Sequence, residues 1–376
     1  MNVQSRGSAV RWYLTAVAAV FALVIAVVQP QSAAAGTIST ISSTLPANGD
    51  VNPYGVFRIP NTMGQLTRGN IMVSNFNSFK NLQGTGTTLV EISPTGAFSQ
   101  FAQISRKHLP GPCPGEVGLT TALVVLNSGW VIVGSLPTAD GTSATAKAGC
   151  LLVLDSNGKL VETIAGPDIN GPWDMTVFDQ TTNNGTTGQA TLFVTNVLNG
   201  TLQAGGNLVH DGTVLRIVVN ASTSMMPTVQ SMMVIAKGFP ERTDPAALVI
   251  GPTGVALSPN NLTLYVADSL NNRIASISNP LTRTTSAGVG TTVSKGGHLN
   301  DPLGMCLSQD GNILTANGDD GFVVETSPTT GVQLSATLFD SSGTPPGSGA
   351  LFGLIFVPGL GTVFVDDATN TLNLFH

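Results

Sequence analysis

Residues 251–277 read Gly-Pro-Thr-Gly-Val-Ala-Leu-Ser-Pro-Asn-Asn-Leu-Thr-Leu-Tyr-Val-Ala-Asp-Ser-Leu-Asn-Asn-Arg-Ile-Ala-Ser-Ile. A Pro-x-Gly turn opens a short apolar strand. A Pro-Asn-Asn turn follows, then a second strand, Leu262 to Ala267, closed by Asp268. Asn271-Asn272-Arg273 leads into a third. Short apolar runs separated by Pro, Asn and Gly are strands joined by tight turns.

The same two-strand pattern recurs. It begins at Asn52 and reaches Asn75, at Gly118 and reaches Ser135, and at Gly171 and reaches Asn196. It returns from Asp301 to Asn317 and from Leu351 to Asp367. The longer intervals contain polar inserts, Asp179–Gln189 and Ser222–Pro245. Six such units cannot each bury an apolar face alone, so they stack radially around a shared core. The fold expected is all-β: a six-bladed β-propeller occupying residues 36–376. The chain ends on Thr371-Leu-Asn-Leu-Phe-His376, only the third strand of the sixth blade. Gly36 to Leu45 is β-rich and belongs to no blade, so it is expected to supply the missing outer strand and close the ring.

The repeat "Gly-Val-Ala … Leu-Tyr-Val-Ala-Asp-Ser … Asn-Arg-Ile" resembles a blade of the NHL-type β-propellers. The resemblance spans roughly residues 50–376 and is weakest around Gly118–Ser135. It implies the architecture but not an activity, since propellers of this kind include lactonases, lyases and binding modules. It also implies that Asp268 and Arg273 pair within their blade. In the related gluconolactonase-like propellers, Asn and Asp just before the Gly of an innermost strand hold a divalent metal in the channel. Here those positions are Tyr54, Thr120, Trp173, Thr253, Leu303 and Phe352, with Asp174 displaced by one. Hard cations need several oxygen ligands, so neither a metal nor any other cofactor is expected. Tyr54, Trp173, Leu303 and Phe352 would instead give the channel mouth an apolar, aromatic lining. Either they form a ligand-binding surface or they plug the axis as core.

Composition supports many short strands. The 376 residues are 42% hydrophobic and 10% charged, with 43 Gly and 22 Pro. The net charge of −6, without a Lys/Arg cluster, argues against nucleic acid as a partner. Arg6 and Arg11 precede an apolar run, Trp12 to Val28, and Ala33-Ala34-Ala35 precedes Gly36. This has the order of an export signal over residues 1–35, either cleaved or retained as an anchor, and places the protein in the periplasm or outside the cell. No later segment is apolar enough to span a membrane, and no oligomerisation stripe argues against a monomer. An exported chain can hold a disulfide, and Cys113 and Cys150 fall in one blade and are the expected pair. Cys306 is expected as a buried thiol.

The five polar closing residues, Asn75, Asn196, Asp268, Asn317 and Asp367, are expected to cap their own turns. Chemistry, if any, would come from His108 and Glu116 in the blade 2 loop, His298 and Asp301 in the blade 5 loop, and Asp174. If at least three of them converge on one face they would act as acid and base, and the two His with Glu116 and Asp301 could alternatively bind zinc. Two functions follow: a module binding a protein, peptide or small molecule at its loop face and channel mouth, or a propeller hydrolase or lyase with its site at that mouth.

Overall fold

The computed structural model describes residues 1–2 and 36–376. The segment expected to be an export signal therefore lies outside the described residues. Residues 36–376 form one compact unit.

Six antiparallel sheets follow one another along the chain. Blade 4 shows the local logic: Pro252–Leu257, Thr263–Asp268, Arg273–Ser278 and Thr291–Lys295 pair in that order from axis to rim. The two strands nearest the axis are almost wholly buried, and the outer strand is mostly exposed. The inner strands are consequently Val-, Leu- and Ala-rich, and the outer one carries Thr, Ser and Lys. Apolar clusters lie between successive blades, as in Val266, Ile277, Phe193 and Phe239 between blades 3 and 4. Each innermost strand packs on the two beside it, and that of blade 6 meets that of blade 1. Glycine makes this approach possible near the axis. A Cβ at Gly304 would collide with the Phe352 carbonyl, and one at Gly254 with the Leu303 carbonyl.

Ile38–Ser43 pairs with Thr371–Phe375 as the outer strand of blade 6, as expected from the sequence. First and last strands thus share one sheet.

Of the two supposed inserts, residues 180–187 of the first do form a loop between strands, and the second is corrected by the structure. Blade 3 extends its hairpins: Pro172–Asp179 pairs with Gly188–Asn196, and Val209–Ala221 with the 17-residue strand Thr228–Asp244. In Thr228–Asp244 the apolar run 232–236 is preceded by exposed residues 228–231 and followed by exposed Lys237 and by Gly238 and Pro240, so the segment lacks the alternation by which a strand is read from sequence. Leu248–Ile250 adds a short fifth strand.

Cys113 and Cys150 form a disulfide, with Cα atoms 5.4 Å apart. Cys306 is free. It is only partly covered, because it lines the channel, while its sulfur packs inward and burial pushes its thiol up to about 12.

Candidate functional site: the channel and its mouth

Hydroxyl groups tie the blades together around the axis. Ser74 accepts the Gly55 N–H (2.9 Å) and donates to the Thr120 carbonyl of the next blade (2.7 Å). Thr195 donates to the Thr253 carbonyl (2.6 Å), and Thr253 to the Pro302 carbonyl (2.8 Å). Asp174 occupies the place that is glycine in blades 1, 4, 5 and 6. Its carboxylate accepts the N–H of Met175 (2.8 Å) and, across the blade boundary, of Val255 (2.9 Å). Burial pushes it up to about 7, against the lowering effect of those two N–H groups.

One residue earlier, four of the six axial side chains, Tyr54, Trp173, Leu303 and Phe352, form a buried plug. Tyr54 stacks on Phe352 (centroids 3.8 Å) and on Phe76 (4.6 Å). Trp173 and Leu303 belong to the same buried cluster. Burial, followed by the nearby Asp367 carboxylate, holds the Tyr54 phenol well above its ordinary value. A cavity of about 270 Å³ lies on the far side of this plug, lined by all six innermost strands and including Asp174, Met305 and Cys306.

On the loop side is a second cavity, of about 250 Å³. Ile250, Leu303 and Phe352 give it apolar surface, and Arg242, Asp244, Asp301 and Asp319 supply its charge. Arg242 and Asp244 pair at 2.8 Å. Asp301 is held in a left-handed conformation (φ 52°), with its N–H bonded to the Asn272 side-chain oxygen (2.8 Å). Burial first, then the Asp319 and Asp244 carboxylates, pushes Asp301 up to about 7 despite Arg242. A carboxyl in that condition gains most from a cation or hydrogen-bond donor.

The five acid–base candidates do not assemble. Asp174 lines the channel cavity and Asp301 the mouth. His298 is exposed and lines an adjoining depression with Asp320 and Phe322, which shares Asn272 and Asn300 with the mouth. His108 is exposed in blade 2, and Glu116 is paired there with Arg106 at 3.0 Å. Of the four residues expected at the channel mouth, Leu303 and Phe352 line the pocket. Tyr54 and Trp173 are buried beside them in the plug. Arg242, Asp244 and Asp319 were not legible as site residues, although Glu-Arg-Thr-Asp is a charge-dense run in a charge-poor chain.

The closing residues do more than cap their own turns. Asn196 accepts the N–H groups of Asn170 (3.0 Å) and Gly171 (2.8 Å). Asn317 accepts that of Asn300 (3.1 Å) and donates to the His298 carbonyl (2.7 Å). Each holds the loop that enters its own blade. In blade 6 the register puts Asp366, not Asp367, at this position, opposite Leu351. Two adjacent aspartates left the choice open in the sequence.

A divalent metal of the kind the resemblance implies does not fit the axial donor set. Four of the six side chains are Tyr54, Trp173, Leu303 and Phe352, buried against one another. The Thr253 hydroxyl is engaged, and Asp174 is the single carboxylate in the channel cavity. Such an ion takes six or more oxygens. Among the described residues, no three His, Cys, Asp or Glu side chains meet as metal ligands, and no helix is long and apolar enough to cross a membrane.

Residues 208–342 match the family described as SMP-30/Gluconolactonase/LRE-like region. None of the curated proteins matches the sequence. Among solved structures, a gluconolactonase from Xanthomonas campestris is similar with a TM-score of 0.54 and 12% identity, over 90% of this chain and 89% of that one. Regucalcin from Agrobacterium tumefaciens, a calcium-binding protein, is similar with a TM-score of 0.50 and 12% identity, over 89% and 93%. At such identity the likeness is one of fold: the chain is a six-bladed β-propeller of the architecture shared by these proteins.

Proposed function

We propose that the protein is an exported binding module whose channel mouth takes a small amphiphilic molecule carrying a positive charge. The observation that carries this reading is the mouth cavity itself. It has an apolar floor at Leu303 and Phe352, and three carboxylates against one arginine at its edge. Its size and character suit a compact ligand held by apolar contact and oriented by a few polar groups. Export rests on residues 1–35, whose order of positive, apolar and small residues is that of a signal.

Binding of phenethylammonium, phenol and benzoate, measured by calorimetry, tests the reading. The cation is expected to bind at one site and the anion not at all. Asp301→Asn is expected to weaken the cation about tenfold, by about 1.4 kcal/mol. No preference for the cation, or binding indifferent to Asp301→Asn, would sink it.

The match over residues 208–342 favours a second reading, a lactone hydrolase. The axial donor set weighs against it. Glucono-lactone hydrolysis above the uncatalysed rate in manganese, zinc or calcium would reverse the order of the two readings.

A further inference from the structure

Blade 3 buries a carboxyl that finds no protein partner. Glu241 lies in the long strand Thr228–Asp244 and is completely buried. Neither of its carboxyl oxygens is hydrogen-bonded among the described residues. The Asn199 N–H approaches it without closing a hydrogen bond. A buried ionisable group in this condition is costly unless a proton, a cation or ordered water meets it.

Its surroundings are oxygen-rich. Glu241 stands opposite Val209, and the next registered pair is Gly212 with Phe239. The strand Val209–Ala221 therefore carries one extra residue at His210–Asp211. Such a bulge re-aims side chains. Here it brings Asp211 close enough to Glu241 to repel it; burial first, and then Asp211, pushes Glu241 up to about 9. The turn after Asn199 closes over this place, since a Cβ on Gly200 would lie 3.1 Å from the Asp211 carboxylate. Thr201, next in that turn, is also completely buried, with an unpartnered hydroxyl. Asp211, Asn199 and Gly200 line an open depression of about 540 Å³, so the Asp211 end of the place is open to water.

We propose that Glu241, Asp211 and the Thr201 hydroxyl hold a hard divalent cation, calcium by preference, beneath the 199–203 turn of blade 3. The site is off the axis and distinct from the channel. Two carboxylates and a hydroxyl are hard oxygen donors, with water from the depression to complete the shell. Zinc favours nitrogen and sulfur donors; calcium tolerates irregular oxygen shells, and magnesium does not. A bound cation also removes the repulsion between the two carboxylates and pins the turn to the long hairpin.

The test is calcium titration of the full chain, freed of metal with chelator, by calorimetry and by thermal unfolding. One calcium per chain is expected, with a rise in melting temperature that magnesium at the same concentration does not match. Glu241→Gln and the exposed Asp211→Asn are each expected to weaken calcium at least tenfold. The Asp211 variant decides the matter should the Glu241 variant fail to fold. Absence of calcium binding, or binding that survives Asp211→Asn unchanged, overturns the site. Neither result bears on the channel mouth, which is read separately by phenethylammonium binding.

Discussion

At the residue scale, the Asp268–Arg273 pair holds the turn of blade 4. The Asp268 carboxylate receives Arg273 Nε and Nη2, each at 2.8 Å, with both side chains almost wholly buried. Arg273 also donates to the Val289 carbonyl (2.8 Å) and the Thr292 hydroxyl (3.2 Å), so its guanidinium ties the end of the strand at Asp268 to the outer strand and the turn before it. Removing one partner strands the other charge in a dry interior. Arg273→Ala is expected to cost about 3–5 kcal/mol of stability, read from the urea midpoint. A loss under about 1 kcal/mol would mean that water reaches Asp268 and the pair is effectively exposed. This pairing was legible because the two residues lie five apart in a recognisable repeat. The Glu241–Asp211 pair was not, because it is made by a bulge that leaves no mark in the sequence.

At the scale of elements, the outer strand of blade 6 closes the ring without a covalent link. Ile38–Ser43 runs antiparallel to Thr371–Phe375, and bonds beyond the strand ends extend the seam, from Thr37 to His376 (2.8 Å) and from Thr44 to Asn370 (2.9 Å). Thr40 donates to the Asn373 side chain (2.9 Å). Without this strand, Thr371–Phe375 becomes an unpaired edge. A chain beginning at Leu45 is expected to melt on the order of 10 °C below one beginning at Gly36, and to aggregate on heating. Equal melting temperatures would show that the ring holds by blade packing alone. The strand was foreseeable by counting: the last blade lacked a partner and the first segment lacked a blade. The long strand Thr228–Asp244 was not, because Lys237, Gly238 and Pro240 interrupt its apolar residues and residues 228–231 are exposed, so no single period runs through it.

At the scale of the whole molecule, several carboxyls are buried or crowded rather than paired. Burial, the largest cause in each case, pushes Asp174, Asp301 and Asp367 up to about 7. An aspartate in the unfolded chain titrates near 4. Between those values the native state holds protons that the unfolded state has lost, so unfolding releases them. Stability is therefore full below about pH 4 and is lost as the pH rises towards 7, by up to about 1.4 kcal/mol per pH unit for each proton. Without calcium, the urea midpoint should be higher at pH 5 than at pH 8. Asp367→Asn should raise it at pH 8, by on the order of 1–2 kcal/mol, and leave it unchanged near pH 4. A midpoint highest above pH 7 would contradict this account.

The sequence by itself determined the blade count, the ring and its closure. Those depend on periodic strands and turn residues, and both are local properties of the chain. It also identified the ring of axial positions, because each sits at a fixed offset from a repeat glycine. The mouth was decided only by tertiary structure. Arg242 and Asp244 from blade 3, Asp301 and Asp319 from blade 5 and Phe352 from blade 6 meet there because the ring brings distant loops together. Likewise, only the packed structure removed water from Glu241 and so made a carboxyl with nothing unusual in its neighbours along the chain into a group that needs a partner.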